Sequence, residues 1–475
     1  MVDPIYIVAV LLGIAFSLGF LGKKSESIAG IMSLLALGFA SLVSAQWFYN
    51  FVTSDIETYQ IFTTAFKPPF SINLMMCRDE ALFTLMINAI GLFGGFYMFD
   101  KLKKAGKNSF IALLMLIMGL NVVVMTRDLF NLFVFLEISS IAVAGLIITT
   151  QTTKSITAGF KYMIATGIIS GILLLGIAFI YYYAGSLNID VILSQNLEAA
   201  KGLSIAIFFI MIAVVLELKP FPANGWGLDV YSSAESGVSS LLSSAYATAT
   251  VYVLMKLLPF APENLQFLIA DIGIFTFILS NLMCMKQDNP NRMLGYSSVS
   301  QIGLLAAVIG LSSVIGEFTY FIVISILLSN FFAKSGLFWI AGIVKQDSIK
   351  NWSILRSNKV LLVLFGIFIF ALTGLPPFPG FFGKWELVMH LAETKNFIWI
   401  AGVLIGSFFE IVYMFRWLGY TVKLDMPETE KVKAKFHQIL PIIIFAAAAF
   451  GAGYYVSSEH QYASLINFLP LAVAL

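Results

Sequence analysis

Charge is what this sequence has least of. Only 11 % of its 475 residues are Asp, Glu, Lys or Arg, whereas a soluble domain carries about a quarter. That shortage excludes a water-exposed globular fold for most of the chain. With a net charge of +2 there is no basic surface of the kind that nucleic acid needs. Cysteine is scarce too: Cys77 and Cys284 offer neither metal-ligand spacing nor a disulfide framework. Three scattered histidines (His390, His437, His460) speak against a haem or redox-metal site. No stretch is built to hold flavin, nucleotide or an iron–sulfur cluster, so no cofactor is expected in this chain. Met1-Val-Asp-Pro lacks the basic region of a cleaved signal, so the first apolar stretch reads as a retained span.

What is present is apolar: 59 % hydrophobic residues and a mean hydropathy of +0.91. The composition predicts an all-α polytopic membrane protein. Apolar runs of about 17–25 residues give fourteen spans, near 5–21, 27–49, 79–99, 109–125, 128–150, 161–184, 203–219, 236–258, 263–285, 297–312, 317–342, 360–374, 397–419 and 437–456. Residues 52–77, with Pro68-Pro69, read as a short extramembrane hairpin.

Basic residues test this count through the positive-inside rule. Odd-numbered connections hold eighteen: Lys23, Lys24, Lys101, Lys103, Lys104, Lys107, Lys154, Lys161, Lys286, Arg292, Lys345, Lys350, Arg356, Lys359, Lys423, Lys431, Lys433 and Lys435. Even-numbered ones hold five: Lys67, Arg78, Arg127, Lys201 and Lys395. A wrong count would scramble that split. It puts both termini outside, in a multi-pass protein of the cell membrane.

The remaining basic residues, Lys219, Lys256, Lys334, Lys384 and Arg416, fall within spans or at their edges. Each costs about 2.5–3.5 kcal/mol at a helix centre. Lys256, close to Pro259, reads equally as a snorkelling side chain or a functional one, and Arg416 either snorkels or pairs with Glu410. Lys334 is mid-span, where snorkelling is hard. Of the acids, Glu137 lies mid-span among Phe and Leu, where a carboxylate is protonated or held by a buried cation. Glu217, two residues from Lys219, points about 200° round the helix, too far to pair with it. Glu235 reads equally as a helix cap or a functional acid, Asp229 as a cap for the next short helix, and Glu410 as the end of a polar file.

Two stretches organise the rest. Leu218-Lys-Pro-Phe-Pro-Ala-Asn-Gly225 and Gly374-Leu-Pro-Pro-Phe-Pro-Gly-Phe-Phe-Gly-Lys384 each interrupt a span with Pro and Gly and carry a lysine. Proline removes a donor and clashes with the preceding turn, so both helices break. Irregular backbone at membrane depth survives only beside protein or a hydrated cavity. The breaks fall in spans seven and twelve, which run in opposite directions. This is the mark of inverted repeats, here 109–258 and 259–420, preceded by residues 1–108 and followed by residues 421–475. A buried series of Glu and Lys suits proton relay, with a Glu137–Lys219 ion pair as its switch.

Asp128-Leu-Phe-Asn-Leu-Phe-Val-Phe-Leu-Glu137, Lys219-Pro-Phe-Pro222 with Gly225-Trp226 and Asp229-Val-Tyr231, Val238-Ser-Ser-Leu-Leu242, Arg292-Met-Leu-Gly-Tyr-Ser-Ser298, Lys334-Ser-Gly-Leu-Phe338 and the stretch to Lys384 follow one another in a familiar order. The chain thereby resembles the antiporter-like membrane subunits shared by respiratory complex I, Mrp-type sodium/proton antiporters and membrane-bound energy-converting hydrogenases. The resemblance implies fourteen spans with discontinuous helices seven and twelve. It implies translocation roles for Glu137, Lys219, Lys334 and Lys384, and the position of the residues adds Lys256, Glu217, Glu410 and Asn330 as secondary candidates. It also implies other membrane subunits as partners, in the lipid bilayer, and protons or sodium as cargo. The sequence departs from the family pattern at Ala247, where a lysine belongs, at Asn330, where a histidine is frequent, and at Ala223-Asn224. The expected function is an ion-translocating subunit, moving protons along a Glu/Lys axis and lacking catalysis of its own. The alternatives are a self-sufficient secondary transporter and a coupling subunit with an incomplete path.

Overall fold

Inside a bilayer, long apolar runs satisfy their backbone N–H and C=O groups only as helices or closed barrels. A computed structural model of the chain is almost entirely helical. The structure describes residues 2–20, 26–54, 56–62, 66, 71–195, 201–423 and 431–468. Lys23, Lys24, Lys67 and the Pro68-Pro69 of the expected hairpin lie outside the described residues. The chain divides into two compact units, Met1–Ile269 and Ala270–Leu475.

In the first unit, α1 (Ile5–Gly19) and α2 (Glu26–Thr53) lead to an antiparallel hairpin, β1 (Thr58–Phe62) and β2 (Asn73–Cys77), with Thr58 opposite Cys77. Then come α3 (Arg78–Tyr97), α4 (Phe99–Ala105), α5 (Lys107–Met125), α6 (Leu129–Ile147) and α7 (Thr153–Ala184). After α8 (Ile189–Ser194) the chain forms α9 (Lys201–Glu217), α10 (Gly225–Ser233), α11 (Ser236–Leu241) and α12 (Ala247–Leu257). Helix α6 starts where Asp128 accepts the Asn131 N–H at 2.8 Å, an N-cap. The α7 start is set by a reciprocal Thr152–Ser155 cap, so the helix begins at Thr153 and not near 161 as expected. Polar residues that look like loop are here the first turn. Gly185, at φ 64°, ends α7 in the left-handed region. Asn88 and Asn121 exchange hydrogen bonds of 2.8 and 3.1 Å, and Asn88 also reaches Ser44 at 2.8 Å, tying α2, α3 and α5 together. Such polar contacts hold helices where lipid gives no hydrophobic drive.

Helix α13 (Glu263–Cys284) contains the boundary between the units. The second unit continues with α14 (Pro290–Gly310), α15 (Ser312–Ile315), α16 (Thr319–Val344), α17 (Lys359–Thr373), α18 (Pro379–Glu393), α19 (Phe397–Val422) and α20 (Phe436–Phe468). Pro290 at the first helical position and an Asn289 cap start α14 well before the expected 297. Helix α16 is the core of this unit, packing against α14, α17, α18 and α20. Its apolar span is 89 % buried, against 33 % for α19, so α16 is enclosed by protein along its length, whereas α19 buries one face, the one that carries Glu410.

Eleven described helices are long and apolar enough to cross a membrane. The other three of the fourteen expected spans fall on shorter apolar helices, Ile5–Gly19, Gly202–Glu217 and Lys359–Thr373. Two of these are the leading halves of the broken spans.

Candidate functional site

Both breaks are where Pro and Gly put them, and they are built differently. Helix α9 ends at Glu217, and Pro220 bars its predecessor from the right-handed helix. Lys219 therefore adopts φ 59°, the left-handed region, at a cost of about 1 kcal/mol. That turn swings the side chain away from α9. Its Nζ donates to the Glu217 backbone carbonyl at 3.2 Å and lies 5.2 Å from the Trp226 ring and 5.1 Å from the Tyr246 ring. Two aromatic faces thus hold a buried ammonium. Gly227 leaves room for the lysine stem: a Cβ there would sit 2.8 Å from Lys219 Cδ.

This arrangement corrects one expectation and changes the reason for another. The helical spacing that separates Glu217 from Lys219 does not apply, because the helix has ended between them. The expected Glu137–Lys219 ion pair is not formed among the described residues. Lys219 has turned to the aromatic side. The Glu217 carboxylate instead accepts the Tyr246 hydroxyl. Glu137 and Glu217 both line one small, partly open pocket, together with Ser140, Thr166, Ser170 and Thr250. Of the Ser/Thr cluster around the position where a lysine is missing, Thr250 reaches the cavity, and the Thr248 hydroxyl has no partner.

Lys256 does not snorkel. It is buried, and its Nζ donates to the carbonyls of Val123 at 3.4 Å, Val124, and Thr126 at 2.9 Å. These are the last carbonyls of α5, left without helical partners, where a cation also meets the helix dipole favourably. Its Nζ sits 5.0 Å from the Tyr252 ring, whose hydroxyl donates to Glu80 at 2.6 Å. Glu80 also accepts from the Cys77 backbone N–H and thiol. Burial, with the Glu80 carboxylate beside it, pushes the Cys77 thiol up to about 12.

In the second unit α17 closes with Gly374 at φ 76°, whose neighbour Leu375 donates back to Phe370 at 3.1 Å. This is the glycine-closed helix end. Pro379 then opens α18, and Lys384 comes inside that helix. Its Nζ forms a 2.8 Å ion pair with Glu410 of α19, which is fully buried and also accepts from Gln301 at 2.5 Å. Arg416 does not pair with Glu410. Its guanidinium donates to the carbonyls of Met285 and Gln287 at 2.5 Å each, just past the end of α13. On α16, Asn330 and Lys334 stand one turn apart, both buried, and neither the Asn330 amide nor the Lys334 amine has a hydrogen-bond partner. Bare groups of this kind in an enclosed core mark a place for water or a transient proton.

Glu235 is a helix cap, accepting the Gly237 N–H at 2.6 Å and pairing with Lys101. Asp229 is not a cap: it lies within α10 and pairs with Lys161 at 2.7 Å. Reading the residues one by one passed over Glu80, Tyr246, Tyr252 and Gln301. Glu80 looks like a first-turn acid, and buried tyrosines look like core. No group of three or more His, Cys, Asp or Glu arranged for a metal occurs among the described residues, and both cysteines are unpaired.

Comparison with known proteins agrees with this architecture. NADH-quinone oxidoreductase subunit N of Desulforudis audaxviator is 29 % identical over 393 residues, covering 78 % of this chain and 77 % of that protein. Two solved assemblies contain chains of the same fold. The archaeal membrane-bound sulfane sulfur reductase, a respiratory membrane complex, matches with a TM-score of 0.85 at 22 % identity, covering 96 % of this chain and 95 % of the other. The Mrp complex of a Dietzia species matches with a TM-score of 0.85 at 17 % identity, covering 97 % and 96 %. Residues 126–410, more than half of the chain and the segment containing both breaks, match the family described as NADH:quinone oxidoreductase/Mrp antiporter, transmembrane. The chain belongs to that family and is one of its antiporter-like membrane subunits.

Proposed function

We propose that this chain moves protons across the membrane as a subunit of a multisubunit respiratory or Mrp-type complex. Glu137, Glu217 and Lys219 carry them in the first unit, and Lys334, Lys384 and Glu410 in the second. The observation that carries the reading is the cavity that two carboxylates, Glu137 and Glu217, share beside Lys219. A buried carboxylate and a buried amine exchange a proton for little cost when each stabilises the other's charge only while both are ionised. Protonating one acid weakens the hold on the ammonium, and the lysine then releases its proton. Lys384 and Glu410 form the corresponding pair in the second unit, and the bare amine of Lys334 can accept a proton without first breaking a bond.

The relatives' names, a subunit of an oxidoreductase and chains of a respiratory membrane complex and an Mrp complex, support other subunits of such a complex as the partners. The distribution of basic residues places both termini outside. Lysines such as Lys104 then face the cytoplasm, and a Lys104→Cys chain is labelled by an impermeant maleimide from that side alone.

The test uses the assembled complex in vesicles with an entrapped pH-sensitive dye. Lys219→Ala lowers proton uptake by about a hundredfold, the scale of a lost acid–base group. An unchanged rate overturns the proposal. Exchanging external sodium for potassium separates the cargoes: an unaltered rate means protons alone, and a lost one means sodium/proton exchange.

A further inference from the structure

Tyr246 sits at the end of a π-helical turn, Leu242–Tyr246, inside the most enclosed span of the first unit. Such turns are rare and concentrate at functional sites. The residue is fully buried, and its hydroxyl meets two groups. One is the Glu217 carboxylate, and the other is Ser140 Oγ at 3.2 Å. A phenol has one proton. A carboxylate only accepts, so the phenolic proton goes to Glu217 and the bond with Ser140 has Ser140 as donor. While Glu217 is ionised, the direction runs from Ser140 O–H to Tyr246 O–H to Glu217. Both ends of the chain line the cavity, and Tyr246 does not. The same ring lies under the Lys219 ammonium.

We propose that Tyr246 passes protons between Ser140 and Glu217, a route beside direct uptake by Glu217 from the pocket that both residues line, and through the charge on Glu217 controls release from Lys219. This rests on the proton-translocating reading above. A hydronium ion in the cavity gives its proton to the Ser140 oxygen. The Ser140 proton moves to the Tyr246 oxygen, and the phenolic proton moves to Glu217. The hydronium ends as water and Glu217 as a neutral acid, while the serine and tyrosine each keep one O–H. Nothing is oxidised or reduced. Neutral Glu217 no longer offsets the charge on Lys219, whose ammonium then rests on the two rings and one carbonyl alone.

Tyr246→Phe keeps the ring under Lys219 and deletes only the O–H. In the assembled complex in vesicles, proton uptake falls about tenfold or more, while Tyr246→Leu loses the ring as well and falls further. Lys219→Ala is measured beside them. If it is unimpaired, the translocation reading and this proposal fail together; if it is impaired and Tyr246→Phe is not, only the proposal for Tyr246 fails. A purely structural role is separated by time-resolved infrared spectroscopy after a pH jump, following the carboxylic-acid band that Glu217→Gln removes. A relay makes that band rise more slowly in Tyr246→Phe with its amplitude kept. A band of altered amplitude and unchanged rate means that Tyr246 only holds Glu217 in place, and overturns the relay.

Discussion

The two broken helices do the same thing to the backbone and opposite things to their lysines. In the second unit a glycine takes the left-handed turn, and Lys384 follows inside the next helix, tied to Glu410 at 2.8 Å. In the first unit Lys219 itself takes the left-handed turn, and its ammonium has two aromatic faces and one carbonyl but, among the described residues, no carboxylate partner within ion-pair distance. The charge of Lys384 is therefore held by a bond, and that of Lys219 by a backbone conformation. Movement in the α9–α10 break displaces the Lys219 ammonium directly. Movement in the α17–α18 break reaches Lys384 only through a helix that Glu410 restrains. The first unit is the one whose charge can shift at small cost.

The contrast breaks most visibly at the ion pair. Glu410→Ala leaves the half-buried Lys384 amine without its countercharge, and losing one partner of a buried pair costs up to about 3–5 kcal/mol. A fall of that order in the stability of the assembled complex is expected by denaturant titration, largely restored by the double change with Lys384→Met. If the single change costs nothing, Lys384 is not held by Glu410 and the two breaks are alike.

Alanine at the two glycines separates backbone from side chain. At Gly374 there is room for a Cβ, whose closest neighbour would be Lys384 Cδ at 3.4 Å, but φ is 76°, so Gly374→Ala costs about 1–2 kcal/mol through strain. At Gly227 no strain arises, yet a Cβ would come within 2.8 Å of Lys219 Cδ. Gly227→Ala is expected to cost less stability than Gly374→Ala and more proton uptake, because it lifts the lysine from its rings. The reverse order would show that Lys219 is positioned by something other than its stem. Trp226→Leu removes one of the two faces and weakens the hold on the ammonium by about 1 kcal/mol, read as a shift in the pH midpoint of uptake.

Much of this was legible from composition. Pro220 and Pro222, and Gly374 with Pro376, announce the breaks because their chemistry is local: a missing donor or a fixed φ acts on the residue that carries it. The partners of Lys256 and Arg416 were not legible. Each reads as a stray charge near a helix end, yet Lys256 satisfies the carbonyls of α5 and Arg416 those beyond α13, more than a hundred residues away in sequence. Glu217 and Lys219 form no ion pair, as expected, but the reason is not a helical angle, because the helix stops between them and Glu217 takes the Tyr246 hydroxyl instead. Tyr246 was invisible because an aromatic residue in a buried span is ordinarily packing, and only the assembled fold shows where its hydroxyl lands. Sequence pattern thus locates charges well and pairs them poorly.

The two cysteines, one in each unit, give the sharpest view of which side moves. Cys77, half-buried beside Glu80 in the first unit, has its thiol pushed up to about 12 by burial and that carboxylate. At pH 8 it has roughly a thousandfold less thiolate than an ordinary cysteine, and alkylation of the closed state slows accordingly. Cys284 in the second unit is fully enclosed and donates to the Met293 carbonyl at 3.1 Å, so it reacts only when its helix opens. Raising the pH from 8 to 10 speeds Cys77 labelling about a hundredfold, because thiolate grows tenfold per unit below the folded value. Glu80→Gln removes the neighbouring charge and gives part of that gain at pH 8. If turnover of the complex accelerates labelling of Cys77 and leaves Cys284 unchanged, the first unit moves while the second stays closed. Equal acceleration at both cysteines contradicts the assignment of movement to the Lys219 side.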